Sequence, residues 1–198
     1  MRKLLLFCVI FKLTTLNAQS YKDTIREFQQ HLNEEYKDAE KSPLSNKDLE
    51  NFTGHTFFPI NEAFNIKAKF QRILHAVPFQ MKTTTSRLPT YEVYAIASFI
   101  IDGKEFQLHI YQSHSLRSKK KYKKHLFLPF TDSTNGITSY SGGRYIDLEI
   151  PEGDTILIDF NKAYNPYCAY SPTYSCPIPP KENNLPIAIN AGIKFLTQ

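Results

Sequence analysis

The sequence of 198 residues contains no tryptophan, two methionines, three cysteines and seven glycines. None of these glycines belongs to a phosphate-binding loop that opens a helix, and no Gly-x-Ser-x-Gly turn occurs. These absences argue against the common nucleotide-binding loops and against the nucleophile turn of α/β hydrolases. The apolar fraction of 41% and the charged fraction of 22% are those of an ordinary globular protein rather than a disordered chain.

A metal-binding pattern is also missing from the sequence. His109 and His114 are five residues apart, whereas His55, His75 and His125 stand alone. Zinc sites use a helical His-x-x-x-His pair or a close cluster of His and Cys, and neither arrangement occurs. We therefore expect no metal and no cofactor.

Residues 1–18 have the pattern of a secretory signal peptide. Arg2 and Lys3 precede an apolar run from Leu4 to Phe11, and the segment closes with Leu16-Asn17-Ala18. The run is shorter than the about 20 apolar residues that a membrane-spanning helix needs. We therefore expect an exported protein, in the periplasm or outside the cell, without a stable membrane span after cleavage. The alternative is that the segment remains as an uncleaved anchor.

The net charge of +5 comes largely from this leader, since loss of Arg2, Lys3 and Lys12 lowers it to +2. Such a small charge on an exported chain argues against a nucleic-acid partner. The run from Arg117 to Lys124 is a strong local exception. It has the chemistry to bind an anionic glycan, lipid headgroups or a phosphate-bearing ligand. The alternative is a solvated loop whose charge discourages edge-to-edge pairing of the sheet.

The segment 19–54 is predicted to be helical. Apolar residues recur at spacings of three and four between Tyr21 and Lys41, which is typical of an amphipathic helix. Ser45 fits the N-cap of a short second helix over residues 46–51, and Gly54 fits its end.

Residues 55–198 are predicted to form one β-rich domain, because the apolar period changes from 3.6 to 2 after Gly54. Asp102-Gly103 lies between two alternating runs and predicts a hairpin with a two-residue turn. The other predicted strands cover residues 64–72, 77–83, 125–129, 144–150, 155–160 and 185–195. Connections too short for parallel crossovers favour a mainly β (α+β) fold with about eight antiparallel strands in a barrel-like or sandwich sheet.

The segment 159–183 concentrates proline, tyrosine, asparagine and cysteine directly after the apolar strand Ile156–Ile158. Polar side chains there either face a ligand or bond the backbone of an irregular loop, and the pattern leaves both alternatives open. Cys168 and Cys176 are the cysteines that remain after export, and a disulfide between them is the default in an oxidising compartment. The alternative is a reactive thiolate at Cys168.

A set of short motifs in the same region carries a resemblance to a known family: Gly143-Arg-Tyr145, Ile158-Asp-Phe-Asn161, Ala163-Tyr-Asn-Pro166, Cys168-Ala-Tyr170, Cys176-Pro177, Pro179-Pro180, Glu182-Asn183, Leu185-Pro186 and Ala191-Gly192. With these motifs the chain resembles the bacterial and archaeal "domain of unknown function 1684" family. The resemblance extends over roughly residues 52–195 and implies no activity, because the family's name assigns none. It implies that the loop 159–183 is a shared feature. Ile193 departs from the family's pattern, which usually has a glutamate there, and this counts against catalysis by such an acid.

The leading hypothesis from the sequence is a non-catalytic binding module for a small molecule or a component of the cell envelope. Its expected site residues are Arg144, Asp159, Asn161, Tyr164, Asn165, Tyr170 and Asn183. Arg144 is expected to bind an anionic group, and the tyrosines to offer stacking surface. One alternative is a hydrolase in which Asp159 is the base or Cys168 the nucleophile. Another is a structural envelope protein in which the loop only staples the fold.

Overall fold

The computed structural model describes the backbone of residues 2–195 and the side chains of residues 20–195. The helices are α1 (Arg2–Lys37), α2 (Asn46–Asn51) and α3 (His114–Arg117). The strands are β1 (Asn65–Arg72), β2 (Phe79–Gln80), β3 (Thr90–Ile101), β4 (Lys104–Ser113), β5 (His125–Asp132), β6 (Arg144–Glu149), β7 (Thr155–Asp159) and β8 (Asn184–Leu185).

The predicted signal peptide, residues 1–18, lies outside the described side chains. Within the described part of the chain, no helix combines the length and the apolar character that a membrane crossing requires.

The eight strands form one sheet that curls into a half-barrel. The strand order is β6-β5-β4-β3-β1-β7, with β2 paired to β3 and β8 paired to β5. The β5–β8 pair is parallel, and the other pairs are antiparallel. The predicted mainly β fold with antiparallel strands is therefore confirmed, as a single curled sheet rather than a sandwich.

The β3–β4 hairpin forms where the sequence predicted it. Ile101 pairs with Lys104, and Asp102 and Gly103 between them have φ angles of 49° and 75°. A tight turn of this kind requires positive φ at both central residues, which Asp and Gly tolerate. The short helix α2 is likewise confirmed, because the Ser45 side chain accepts a hydrogen bond from the backbone N–H of Asp48.

The two faces of the sheet bury different side chains. One face holds the main core, which is rich in aliphatic residues such as Leu108, Ile110, Leu126 and Leu128. Burial of one such side chain contributes about 1.5–3 kcal/mol to the free energy of folding. Successive residues of a strand point to opposite sides, so their neighbours form a second surface. This surface, the aromatic face, consists of Tyr91, Tyr111, Phe127 and Tyr145, with Met81 and Cys176 packed beside them.

The predicted strand over residues 185–195 is wrong, because only Asn184–Leu185 joins the sheet. The residues that follow direct their carbonyl groups to a buried side chain rather than to a neighbouring strand. Three carbonyls, those of Ile189, Ala191 and Ile193, accept hydrogen bonds from the guanidinium group of Arg144. The predicted strand over residues 77–83 is similarly reduced to Phe79–Gln80.

Helix α1 ends at Lys37, a few residues before the predicted end at Lys41. It is attached to the rest of the fold at two points along its length. The Tyr21 hydroxyl lies 3.0 and 3.1 Å from the two carboxylate oxygens of Asp159. Further along, the Tyr36 ring packs edge-on against His55 and Tyr170, with ring centroids 4.3 and 5.1 Å apart.

Candidate functional site

A cavity of about 490 Å³ lies between helix α1 and the aromatic face of the sheet. This volume falls within the range of about 300–1,000 Å³ that small-ligand pockets occupy. The wall is mostly aromatic, formed by Phe28, Tyr36, Tyr91, Tyr122, Phe127, Tyr145, Tyr164, Tyr167 and Tyr174.

Three parts of the chain form most of the cavity wall, and Leu116 and Tyr122, between β4 and β5, complete it. Helix α1 contributes Phe28, Leu32 and Glu35, whose spacing of four and three residues places them on one side of the helix. The sheet contributes side chains of β3, β5 and β6, including Phe127. The segment 164–177 closes the remaining side with tyrosines, prolines and Cys176. The cavity therefore depends on contacts between distant parts of the sequence.

A polar network of three side chains lies in this aromatic wall. Nε2 of His125 is 2.8 Å from Oδ1 of Asp147. The Tyr164 hydroxyl donates to Oδ2 of the same carboxylate at 2.8 Å. The β5–β6 register brings His125 and Asp147 together, because Phe127 is paired with Asp147 and His125 with Glu149. Asp147 thus joins a strand histidine to a loop phenol at the edge of the cavity.

The electrostatic character of the cavity is anionic. Burial raises the pKa of Tyr164 well above that of an ordinary phenol, and the nearby Asp147 carboxylate raises it further. The Tyr164 hydroxyl therefore stays protonated and acts as a donor. The side chains of Asp147 and Glu35 are 51% and 44% exposed, so both carboxylates remain accessible to a ligand. Among the described residues, neither Lys nor Arg lines this cavity.

His125 supplies a further polar atom at this position. Its Nδ1 atom is buried and has no hydrogen-bond partner among residues 20–195. The histidine and the carboxylate do not form part of a metal cluster, since the described residues contain no group of three or more His, Cys, Asp or Glu placed to hold an ion.

Arg144, which the sequence analysis assigned to an anionic ligand, lies in the main core. Its side chain is fully buried, and its Nη2 atom is 2.8 Å from Oδ2 of Asp132. The guanidinium group also binds the three carbonyls of the C-terminal segment. Its charge is thus compensated inside the protein, and its donors hold the C-terminal segment against β6.

Asp159 and Asn161 connect helix α1 to the sheet. Asp159 accepts from the Tyr21 hydroxyl and, at 3.0 Å, from the backbone N–H of Asn161. The Asn161 amide donates to the carbonyl of Asn61 at 2.8 Å and accepts from its backbone N–H at 2.9 Å. Burial, followed by the Asp159 charge, raises the pKa of Tyr21 above that of an ordinary phenol. These polar groups bond one another and the backbone. They therefore follow the alternative in which the polar side chains of segment 159–183 stabilise an irregular loop rather than face a ligand.

Asn183 replaces backbone pairing between β4 and β5. Direct pairing of these strands is limited to Tyr111 and Phe127, and Pro129 has no N–H to donate to a ladder. The Asn183 amide donates to the carbonyls of Pro129 and His109 at 2.7 and 2.8 Å, and it accepts from the His109 N–H at 2.8 Å. One side chain therefore acts as a peptide group between two strands.

The remaining predicted site residues lie near the end of helix α1. Asn165 is fully buried, and its amide donates to the Tyr170 hydroxyl at 2.9 Å. Tyr170 packs in the aromatic group around Tyr36 and His55. Of the seven residues that the sequence analysis assigned to a site, Tyr164 is the one that lines the cavity.

Cys168 and Cys176 are adjacent, and the structure holds both as free thiols. The backbone N–H of Cys168 donates to Sγ of Cys176 at 3.1 Å. Burial, aided by a hydrogen bond with Cys168, raises the pKa of the Cys176 thiol to about 12. A thiol with so high a pKa is a poor nucleophile at neutral pH. Cys176 lines the cavity, but its chemistry there is that of a small apolar group.

The sequence analysis missed His125 and Asp147. Both lie within strands that it predicted, at positions that alternate with buried aliphatic residues. The available signal was a polar residue next to a buried aliphatic one in each strand, His125 before Leu126 and Asp147 after Ile146. Their contact could not be predicted, because it depends on the register between β5 and β6 and on the position of Tyr164.

Comparison with known proteins adds the fold but no activity. The family described as "Protein of unknown function (DUF1684)" matches residues 50–194, which contain all eight strands and the His125–Asp147–Tyr164 network. The solution NMR structure of an uncharacterised protein of Haloarcula marismortui is 30% identical to this chain, with a TM-score of 0.70. The similarity covers 90% of this chain and 96% of the archaeal one. No curated protein matches the chain.

Proposed function

Because this chain belongs to the family of proteins of unknown function DUF1684, whose description assigns no activity, we propose a function from the cavity itself. The protein is a binding module that holds a small organic molecule between helix α1 and the aromatic face. The observation that supports this proposal is the aromatic wall of a cavity of about 490 Å³ that also contains a carboxylate, a histidine and a phenol. Ligand pockets typically combine such an apolar surface with a few polar groups that orient the ligand.

The charges in the cavity favour a ligand with a cationic group. Asp147 and Glu35 are the acidic side chains of the wall, and neither Lys nor Arg is among the described residues that line it. Aromatic faces also attract cations, by about 0.5–2 kcal/mol for each well-placed ring. The proposed ligand therefore has an apolar body, packed against the tyrosines, and an amine that contacts Asp147.

Binding is favoured over the hydrolase alternative because the two proposed catalytic groups face other partners. The Asp159 carboxylate is bonded to Tyr21 and Asn161. Cys168 is absent from the lining of the cavity, whereas its neighbour Cys176 has a raised thiol pKa. A general base or nucleophile must lie within hydrogen-bond reach of a bound substrate.

Thermal unfolding with 2-phenylethylamine and the neutral 2-phenylethanol tests this proposal. We expect the amine to raise the Tm of the wild-type protein in a saturable way, and the alcohol to do so less. Asp147→Asn weakens the effect of the amine, while Asp154→Asn removes the same charge at an exposed turn outside the cavity and serves as the matched control. Leu32→Trp fills the cavity and abolishes the effect. Equal stabilisation of the wild-type protein and Leu32→Trp contradicts the proposal.

We also propose that residues 1–18 are removed on export to the periplasm or the cell exterior, and that Cys168 and Cys176 then form a disulfide. The N-terminal pattern and the closeness of the two cysteines support this. Cleavage after Ala18 leaves Tyr21 and Tyr36 in place. Closure of the loop between the two cysteines stabilises the fold by about 2.5 kcal/mol on a chain-entropy estimate.

Intact mass measurement of the exported protein, alkylated without a reductant, checks both steps. The expected product begins at Gln19 and carries no alkyl group on either cysteine, and the unreduced protein has a higher Tm than the reduced one. A chain that retains Met1, or that is alkylated at Cys168 and Cys176, contradicts the corresponding step.

A further inference from the structure

The loop that connects β4 to β5 carries the densest charge of the molecule. Residues 117–124, the basic loop, contain six cations and no acid. All five lysines of this loop are exposed. None of them is ion-paired with a residue that the structure describes. The basic loop therefore presents an uncompensated positive surface to solvent.

A second loop, between β1 and β2, presents aliphatic side chains to solvent. This apolar loop, residues 73–78, has the sequence Ile-Leu-His-Ala-Val-Pro. Leu74 is 76% exposed and Val77 is 82% exposed, values that are among the highest for large apolar residues of this protein. Single exposed aliphatic residues are common on protein surfaces. Two of them in one short loop beside a charge cluster require a more specific explanation.

The two loops lie at the same end of the sheet, joined by one buried carboxylate. Glu92 contacts Arg72, which immediately precedes the apolar loop, at 3.6 Å. It also contacts Arg117, the first residue of the basic loop, at 2.8 Å. Glu92 is only 7% exposed, so this end of β3 holds both loops in a fixed relation. Glu92 partly compensates the charges of Arg72 and Arg117, whereas the five lysines form no ion pair with a described residue.

We propose that the basic loop and the apolar loop together dock this end of the protein on an anionic phospholipid bilayer. Each lysine close to a negatively charged membrane surface strengthens binding about fivefold. Leu74 and Val77 enter the interface between headgroups and acyl chains, where aliphatic groups are favoured. A soluble polyanion such as a glycan uses the lysines but gains nothing from the aliphatic side chains, and this difference favours a bilayer as the partner.

Docking in this orientation also positions the cavity. The segment from α3 to β5 supplies Leu116 and Tyr122 to the cavity wall. The cavity therefore lies beside the docked surface, within reach of molecules held at the membrane. The docking proposal does not depend on the cavity having a ligand, and the two are tested separately.

Sedimentation with phosphatidylcholine vesicles, prepared with and without phosphatidylglycerol, tests the docking proposal on the full chain. Every variant keeps the same N-terminal segment, so differences between variants report the proposed surface. The triple variant Lys120→Gln, Lys121→Gln, Lys123→Gln is expected to lose at least tenfold in affinity for phosphatidylglycerol vesicles. The matched control replaces three exposed lysines elsewhere with glutamine, namely Lys47, Lys67 and Lys104, and binds like the wild type.

The apolar contribution is tested with Leu74→Ser, Val77→Ser and a control pair, Ile100→Ser and Ile137→Ser, which lies outside both loops. The first pair is expected to weaken vesicle binding several-fold, and the control pair to leave it unchanged.

Equal binding by the two lysine variants overturns the proposal. Binding to heparin, a soluble polyanion, is measured beside vesicle binding. If the triple lysine variant loses both and the Leu74 and Val77 changes affect neither, the partner is a soluble polyanion instead. A change of oligomeric state in the Leu74 and Val77 variant indicates a second copy of the chain as the partner.

Discussion

At the residue scale, the polar side chains of the C-terminal region divide into two groups with different partners. Asn161 bonds the backbone of Asn61, Asn183 bonds backbone groups of β4 and β5, and Arg144 bonds carbonyls of the C-terminal segment. Tyr164 instead faces the cavity and binds Asp147. Buried polar groups must be paired to be tolerated, and this requirement explains the unusual composition of the loop.

Asn183→Ala is expected to lower the free energy of unfolding by about 3 kcal/mol, because three hydrogen bonds between β4 and β5 are lost at about 1 kcal/mol each. Chemical denaturation measures the change. Asn184→Ala is the control, since the exposed Asn184 side chain makes a single hydrogen bond with Thr131. Similar stabilities of the two variants contradict the role assigned to Asn183.

His55 is expected to make the protein less stable in mild acid. Burial lowers the pKa of His55 from its ordinary value of 6.5 to about 4. The unfolded chain therefore binds this proton more readily than the folded one. Stability from this group is complete above pH 6.5 and declines as the pH falls towards about 4, by at most about 3 kcal/mol.

Unfolding of the wild type and His55→Phe across this pH range measures the effect of His55. Phe retains the ring contacts with Tyr36 and Tyr170 but does not titrate. We expect the variant to lose less stability than the wild type below pH 6.5. His31→Gln, at an exposed position on α1, is the control and retains the wild-type slope. Identical slopes for all three proteins contradict the prediction.

At the scale of secondary-structure elements, the attachment of helix α1 to the sheet controls the cavity. The helix supplies Phe28, Leu32, Glu35 and Tyr36 to the wall. Near residue 20 it is held by the hydrogen bonds between Tyr21 and Asp159. Near its C-terminal end it is held by the ring contacts of Tyr36. Loss of either attachment is expected to open the cavity without unfolding the sheet.

Tyr21→Phe is expected to cost about 1–3 kcal/mol, because the buried Asp159 carboxylate loses a donor. Hydrogen exchange distinguishes local from global effects. We expect faster exchange in the α1 segment and unchanged protection in β3 and β4. Tyr94→Phe, which keeps the ring under Arg72, is the control. Uniformly faster exchange across the sheet contradicts a local role for Tyr21.

Elements that depend on interactions between residues close in the sequence could be predicted, and elements that depend on distant residues could not. The β3–β4 hairpin and helix α2 were predicted because their turn and cap residues are local. The apolar alternation of residues 185–195 gave a false strand, because the partner of their carbonyls is Arg144, more than 40 residues away in the sequence. The site was only partly predicted for the same reason. Tyr164 was identified from composition, whereas His125 and Asp147 meet through strand register.

At the scale of the whole molecule, the C-terminal segment passes close to the sheet and closes the fold. Gly192 has a φ of +76°, and a Cβ atom there would lie 2.6 Å from the carbonyl oxygen of Phe160. Gly143, with a φ of +89°, meets the carbonyl oxygen of Phe130 at the same distance. Both glycines lie within residues 50–194, which the family model matches. They permit the close approach that places Arg144 beneath the C-terminal carbonyls.

The same architecture separates three regions of one chain. The aliphatic face of the sheet and the C-terminal segment form the main core. The aromatic face and helix α1 enclose the cavity. The basic loop and the apolar loop form the proposed membrane-docking end. Changes in one region are expected to leave the others largely intact, because distant sites contribute almost additively to stability.

The central claim, that the cavity binds a small organic cation, is tested most directly by an NMR titration of the ¹⁵N-labelled protein with 2-phenylethylamine. The account predicts saturable chemical-shift changes at the amides of Tyr145, Asp147, Tyr164 and the α1 segment 28–36, with weaker binding by Asp147→Asn and unchanged binding by Asp154→Asn. Shifts that do not saturate, or that fall on the distant β3–β4 turn instead of the cavity, contradict it.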